Sequence, residues 1–525
     1  MPQNLDAIII GSGHNSLVCA IKLARKGWRV GVFEQAAEPG GAVKTLELTE
    51  PGFHHDWAAM NLSLFAGSAF YKEHAAELAE HGLAFVPVQN CFASVFPDGK
   101  WLGVTAGSDT MRQRIAAFSQ KDAQAWEELV AEFPQTAEYL FAVLGSPMKM
   151  HRMGKIFAKA WWKRGADWTG SLIRLVLSSP RKWLEETFET PHVRATLAAW
   201  GMHLDFAPDI AGGAMFPYLE SMANQSFGMV IGSGGAGTMT RALCGMLEAA
   251  GGEIRCNARV TRIIKEGGRA TGVELESGER VTAQKAVIAN VAPGALADHL
   301  IDGGSGNDKF DRAMRAFSHA PGTMMIHLAL DELPAWAASE ELRSFAYVHI
   351  APSLDQMART YQQARAGLLP DEPVIVVGQP TAVDPSRAPK GKHVLWVQVR
   401  MAPGAIRGDA KDEISATEWG AAAEPFAERV IDLIEQHAPG LKKAIRARRI
   451  VAPRDLEADN PNLVGGDQIC GSHHLSQHFF FRPAFGHAPG NTPVEGLYLT
   501  GAAVWPGAGT GAGPGTMLGQ MLAGN

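Results

Sequence analysis

Leu5-Asp6-Ala7-Ile8-Ile9-Ile10-Gly11-Ser12-Gly13-His14-Asn15-Ser16, joined by one helix to Trp28-Arg29-Val30-Gly31-Val32-Phe33-Glu34, is the stretch that decides the fold. The apolar run 5–10, broken only by Asp6, predicts a short buried strand. A helix is expected over about 15–26, with Leu17, Ile21 and Ala24 on one face. Lys22, Arg25 and Lys26 fall in its last turns, where positive charge complements the carbonyl end of the dipole. Gly27 predicts the helix stop, and 28–33 the second strand.

Strand, glycine-rich turn, helix, strand and acid in that order form a dinucleotide-binding unit. Gly11 allows the tight turn, and Gly13 lets a pyrophosphate approach the main chain. The helix start, including His14 and Asn15, then faces the phosphates with unpaired N–H groups. Glu34, 23 positions after Gly11, stands where an acid accepts hydrogen bonds from ribose hydroxyls. Ser16 replaces the third glycine and is still small enough for helix to pack on strand.

The rest of the chain separates FAD from NAD. Pro39-Gly40-Gly41 follows the second strand, and such a pair suits a cofactor that continues past its pyrophosphate. A glycine-rich turn from 232 precedes an expected helix at 238–250 and strands at 253–264, 270–275 and 285–290. Near the carboxyl end, a buried strand within 496–502 ends at Gly501. It leads into Trp505-Pro506-Gly507-Ala508-Gly509-Thr510-Gly511 and a helix at 516–522. A flavin ring needs close approach free of side chains and a positive dipole at its N1/C2 edge, which such a turn supplies. FAD is therefore the expected cofactor.

Bulk properties narrow the class. The 525 residues are 46% apolar and 19% charged, enough for two or three domains. A formal charge of −6 gives no sign of a nucleic-acid partner. The five cysteines (Cys19, Cys91, Cys244, Cys256 and Cys470) include no C-x-x-C pair, which argues against dithiol chemistry. No signal peptide and no spanning helix are readable, so a cytoplasmic location is expected.

Beyond these readings, the chain resembles the phytoene desaturase-related FAD-dependent oxidoreductases. It is nearest to the branch called pyridine nucleotide-disulfide oxidoreductase domain-containing protein 2-like. The stretches that carry the resemblance are Ile10-Gly11-Ser12-Gly13-His14-Asn15, Pro39-Gly40-Gly41 and Gly52-Phe53-His54-His55-Asp56. Gly234-Gly235-Ala236-Gly237-Thr238, Gly465-Gly466-Asp467 and two runs beginning at Phe481-Arg482-Pro483 and Thr492-Pro493 extend it across nearly the whole chain. The resemblance implies that Gly11, Gly13, His14 and Asn15 meet the pyrophosphate and Glu34 the ribose. It implies Val260 at the adenine, and Gly40 and Gly41 at the ribityl end. Gly501 would approach the pyrophosphate and ribityl chain, with Pro506, Gly507, Gly509, Thr510 and Gly511 along the flavin. A histidine often precedes that last Pro-Gly in the family; here it is Trp505.

The expected fold is α/β. A Rossmann-type FAD-binding domain of the glutathione reductase/amine oxidase kind is assembled from 1–70, 225–300 and 490–525. The insertions 71–224 and 301–489 form a mixed-sheet plus helical substrate domain. The first reads as mostly helical; the second has strands at 323–330, 374–378 and 393–400 and a helix at 421–437.

The stretch 149–182 carries nine basic residues and one acid, Asp167, with Trp161, Trp162 and Trp168 interleaved. The commoner pattern is a solvated basic face whose tryptophans pack inward; the alternative is peripheral membrane contact. His473, His474 and His478 lack the spacing of a metal site, so no metal is expected. His55 and Trp505 are the only candidates for a catalytic side chain.

The expected activity is dehydrogenation or desaturation of a small lipophilic substrate, with oxygen or a quinone as electron acceptor. Amine oxidation, redox-neutral isomerisation and a non-catalytic flavin-bearing regulator stand as alternatives.

Overall fold

The computed structural model describes residues 4–524. Strand Asn4–Ile10 runs through the middle of a seven-stranded sheet. It is parallel to Val30–Phe33 on one side and to Arg280–Ala289 on the other. Glu253–Arg255 extends the parallel part past Val30–Phe33, and Leu497–Leu499 pairs in parallel with the end of Arg280–Ala289. The antiparallel strands Val260–Glu266 and Arg269–Leu275 complete it. After Asn4 every residue of the first strand is buried, as a strand covered on both faces requires.

Helix His14–Arg25 covers one face, packed between helices Gly237–Ala249 and Gly513–Ala523. A Cβ at Gly515 would collide with the Asn15 carbonyl, so that glycine lets two helices meet main chain to main chain. Contact on several sides explains why Val18, Cys19, Ala20 and Leu23 are buried beside the expected Leu17, Ile21 and Ala24.

The second sheet also has seven strands, in the order Ile445–Val451, Gly322–Leu330, His393–Ala402, Val374–Gly378, Tyr347–Ile350, Asn90–Val95, Trp101–Thr105. Gly322–Leu330 and Val374–Gly378 are buried at every residue. Ile326, Val397 and their neighbours pack under helix Trp419–His437 through Ala422, Phe426 and Val430. On the opposite face Tyr347 and Trp396 join Trp200, Met222 and Leu219 in a larger apolar cluster. Burial of this kind contributes about 1.5–3 kcal/mol per large apolar side chain.

The strands expected at 323–330, 374–378 and 393–400, and the helix at 421–437, stand within two residues of their observed bounds. The segment 71–224 is mostly helical, as expected, and also holds strands Phe85–Val88, Asn90–Val95 and Trp101–Thr105, the last two joined by a turn with Gly99 at φ 77°. One expectation is corrected. The stretch 253–264 is two strands, broken where Asn257 takes φ 51°.

Residues 149–182 contain helices Met150–Arg164 and Ala166–Leu177. The inward packing expected of the tryptophans holds for Trp168, whose ring lies 5.2 Å from that of Tyr139 and whose indole N–H donates to Glu132 over 2.9 Å. It fails for Trp161 and Trp162, which are 61% and 84% exposed. The inward stripe of that helix is Met153, Ile156, Phe157 and Ala160, so the helical period turns Trp162 to the far side and Trp161 to the margin. Among the described residues no helix is long and apolar enough to cross a membrane.

Candidate active site

Ile10, Phe33 and Asn290 stand at the carboxyl ends of adjacent parallel strands, where an open α/β sheet leaves its ligand crevice. A cavity of about 1570 Å³ begins there and runs to the face of the second sheet at Tyr347, Trp396 and Gln398. Ordinary ligand pockets hold about 300–1,000 Å³, so this one has room for a large cofactor and a second molecule.

One end is built from main chain. Gly11 adopts φ 85°, a conformation that a side chain would strain. A Cβ on Gly41 would lie 3.5 Å from Gly13 Cα, so the two glycine turns abut. Helix His14–Arg25 starts from Gly13 without a side-chain cap, leaving its first N–H groups directed at the cavity. Glu34 receives Ser12 N–H and Oγ–H at 2.8 and 2.7 Å on one oxygen and Ala36 N–H at 2.9 Å on the other. The acid thus fixes the glycine turn, and Oε1, which accepts only from Ala36, keeps a lone pair for a hydroxyl donor. His14 donates through Nε2 to the Gly509 carbonyl at 3.1 Å. Burial pushes its pKa down to about 4, so the ring is neutral at neutral pH.

The turn after residue 505 closes this end. Pro506, Gly507, Gly509, Thr510 and Gly511 lie on the wall, and Ala508 N–H donates to His473 Nε2 at 3.1 Å. Gly501 lies a step behind: a Cβ there would strike the Asn290 side chain, whose amide donates to Ser16 Oγ at 2.9 Å. Gly40 and Val260 are also on the wall.

The remaining motifs are braces. Asp56 accepts from Thr45 Oγ1 and from Ala236 N–H, at 2.7 and 2.8 Å, and pairs with the buried Arg387 at 2.9 Å. This ties 52–56 to the start of helix Gly237–Ala249. Asp467 receives N–H groups of Ala320 and Gly471, and the buried Arg482 donates to the carbonyls of Ser472 and Ala502.

Neither catalytic candidate reaches the wall. His55 is buried, bonded to Thr49 Oγ1 at 2.8 Å and edge-on to His327. Trp505 is buried and donates to the Ser146 carbonyl at 2.9 Å. Of the histidines of 473–478, His473 holds the 506–511 turn with the His478 ring 5.2 Å from its own, while His474 binds the Asp205 carbonyl at 2.9 Å. No group of three or more His, Cys, Asp or Glu among the described residues could hold a metal ion.

The other end is built from side chains that the sequence did not bring together. Trp200, Phe216, Leu219, Tyr347 and Trp396 line it, and Glu220 stands among them. Burial pushes the Glu220 carboxyl up to about 7. Arg400 donates to the carbonyls of Met202 and His203 and to Thr323 Oγ1. Burial brings its pKa down only to about 10, so it stays charged.

A glycine-floored crevice, an uncapped helix start and an anchored acid fit a dinucleotide that runs on past its pyrophosphate. The family described as flavin containing amine oxidoreductase matches the chain over residues 17–417. The chain belongs to this family. As a flavin amine oxidoreductase family member it is an FAD-dependent oxidoreductase. It is similar to pyridine nucleotide-disulfide oxidoreductase domain-containing protein 2 of Rattus norvegicus, with 28% identity over 96% of this chain and 90% of that one. Phytoene desaturase (neurosporene-forming) of Cereibacter sphaeroides is 23% identical over 96% and 91% of the two chains. In fold it matches the crystal structure of an oxidoreductase from Methanosarcina mazei, with TM-score 0.62, 18% identity and 98% of both chains covered. The five cysteines of this flavoprotein are free.

Proposed function

We propose that the chain is a dehydrogenase, of the desaturase type, for a small and largely apolar organic substrate. The observation that carries this reading is the single cavity whose glycine-built end continues into an end walled by apolar and aromatic side chains. A relative named as a phytoene desaturase supports a lipophilic substrate. In this reading 1–70, 225–300 and 490–525 form the FAD-binding unit, and 71–224 with 301–489 the substrate-binding unit. Gly11, Gly13, His14 and Asn15 hold the pyrophosphate, Glu34 the ribose and Val260 the adenine. Gly40 and Gly41, backed by Gly501, take the ribityl chain, and Pro506, Gly507, Gly509, Thr510 and Gly511 lie along the ring.

Bound there, FAD supplies the acceptor for two electrons and one hydrogen from substrate carbon. The chain supplies the rest. Trp200, Trp396 and Phe216 exclude water and orient an apolar molecule against the 506–511 turn. His473 fixes that turn as a neutral hydrogen-bond acceptor. Oxygen or a quinone restores the oxidised state.

Anaerobic bleaching of the holoprotein's visible absorption tests the reading. Bleaching by lipophilic alcohols or polyenes is the expected result; bleaching by amines alone would make the protein an amine oxidase and overturn it.

The substrate enters, in this reading, from a membrane surface. Leu64, Phe141 and Phe227 line the cavity and are 50%, 46% and 74% exposed, so its mouth is apolar. Glu138 on the wall pairs at 2.7 Å with Lys159 of the helix that displays Trp161, Trp162 and the basic residues of 149–182. Exposed tryptophan among lysines suits an anionic bilayer interface. Sedimentation with anionic vesicles tests this: W161S/W162S is expected to lower the bound fraction severalfold, and an unchanged fraction would refute it.

A further inference from the structure

Helix Met215–Phe227 presents Phe216, Leu219, Glu220, Ala223, Asn224 and Phe227 to the cavity, an i, i+3, i+4, i+7, i+8, i+11 face that is apolar except at Glu220 and Asn224. Asn224 is occupied, its amide donating to the Glu220 main-chain carbonyl at 2.7 Å. The Glu220 carboxyl has no hydrogen-bond or ion-pair partner among the described residues, and desolvation is the sole cause of its shift.

The other acids on this wall are accounted for. Glu34 anchors Ser12, Asp459 pairs with Lys44 at 2.6 Å, Glu138 pairs with Lys159, and Glu38 is exposed. A carboxyl left without a partner among aromatic side chains costs stability that packing alone does not repay. Its neighbours join it to the far end of the cavity. The Tyr347 hydroxyl lies within electrostatic reach of Glu220 and against the main chain of Asn61, whose carbonyl accepts from Thr510 Oγ1 at 3.4 Å. Glu220 and the turn assigned above to the cofactor ring thus line one cavity, joined along its wall through Tyr347 and Asn61.

We propose that Glu220 is the proton acceptor of the reaction, taking a proton from the substrate carbon next to the one that is oxidised. This rests on the dehydrogenase reading and deepens it. With FAD bound, one hydrogen would leave the first carbon with its electron pair, the two electrons being accepted by the oxidised flavin. The neighbouring C–H bond breaks, its pair becomes the new C=C bond, and its proton forms an O–H bond on Glu220. The protonated carboxyl then releases the proton to water when product leaves. The other titratable groups at this end do not compete. Tyr347 is pushed far up by burial, His203 is held neutral by burial with Arg400 beside it, and Arg400 is bound to carbonyls. A base whose pKa lies near the working pH is the most effective kind.

The test uses the FAD-loaded protein and its E220Q variant, an isosteric change that removes no hydrogen bond within the protein. Infrared difference spectra read the carboxyl itself, without turnover. A protonated-carboxyl band that titrates near pH 7 in the wild type and is absent from E220Q is expected. Anaerobic bleaching by a lipophilic substrate should slow by about 10²–10⁴-fold in E220Q, with E220D recovering part of the rate. The wild-type rate should rise through the same pH, while FAD content stays unchanged in both variants. Equal bleaching rates in wild type and E220Q, or no carboxyl titrating between about pH 6 and 8, would overturn the assignment. Failure of every lipophilic substrate to bleach the wild type would instead sink the dehydrogenase reading, and this step with it.

Discussion

The two ends of the cavity are made of different material. Around Gly11, Gly13, Gly41 and the 506–511 turn the wall is mostly main chain, held by Glu34, Asn290, His14 and His473. Around Glu220 it is side chain, supplied by the 200–204 turn, the 215–227 helix and strands of the second sheet. A main-chain wall offers N–H groups and dipoles that any dinucleotide can use, and it tolerates no added carbon. A side-chain wall is defined by shape and dryness, and its residues can be exchanged to admit another substrate. The first end fixes the cofactor and the second chooses what is oxidised.

The sharpest way to break this contrast is to add carbon at the main-chain end. Gly501 sits at φ 98° with Asn290 where its Cβ would be. Gly501→Val adds backbone strain of ~1–3 kcal/mol and an overpacking cost of similar size. It is expected to lower the thermal midpoint by several degrees and to empty the protein of FAD, read as the ratio of visible to ultraviolet absorbance. A variant that folds with full FAD content would show that Gly501 is not what lets Asn290 and the first turn close on the cofactor.

A smaller effect is expected where a side chain braces main chain. Glu34→Ala removes the acceptor for Ser12 and Ala36, charge-assisted bonds of roughly 1.5–3 kcal/mol. Because the same carboxylate is assigned to the ribose, FAD affinity should fall about 10–100-fold by fluorescence titration. Substrate preference should be untouched, since no residue at the Glu220 end contacts Glu34. A changed substrate order in the refilled variant would dissolve the division between the two ends.

The same contrast decides what could be read from the sequence. Gly11, Gly13 and Glu34 sit within one strand–helix–strand unit, so a few neighbouring letters specify the turn, its conformation and its brace. The family resemblance carried the distant glycines 40, 41 and 507–511 to the same wall. Glu220, Trp200, Tyr347 and Trp396 come from four separate elements, and nothing local says that they meet. The one available signal for Glu220 was a single acid interrupting an apolar helical face from Phe216 to Phe227. Strands Asn90–Val95 and Trp101–Thr105 were missed although Asp98-Gly99 is a hairpin turn, because the long helices around them dominate the pattern. His55 and Trp505 drew attention by their neighbours in sequence. Both instead fill buried positions, which is the usual fate of an aromatic ring beside a glycine turn.

Acid should separate the two ends more gently. Beneath the side-chain end, His349 is buried with neither ring nitrogen bonded, its ring 5.5 Å from those of Trp200 and His203. Burial lowers its pKa to about 3, against the usual 6.5. The folded protein then holds this proton less readily than the unfolded chain. Stability is whole above about pH 6.5 and is lost as pH falls toward about 3, at ~1.4 kcal/mol per pH unit for one such histidine. His349→Leu should flatten that part of the profile of thermal midpoint against pH by about one proton's slope. The main-chain end has its own acid-sensitive ring in His14, but that ring opens onto the cavity, where bound FAD covers it. Loading with FAD should therefore raise the whole profile and leave the His349 component of the slope in place. A slope that vanishes on FAD binding would move the acid-sensitive group to the glycine end and reverse the assignment.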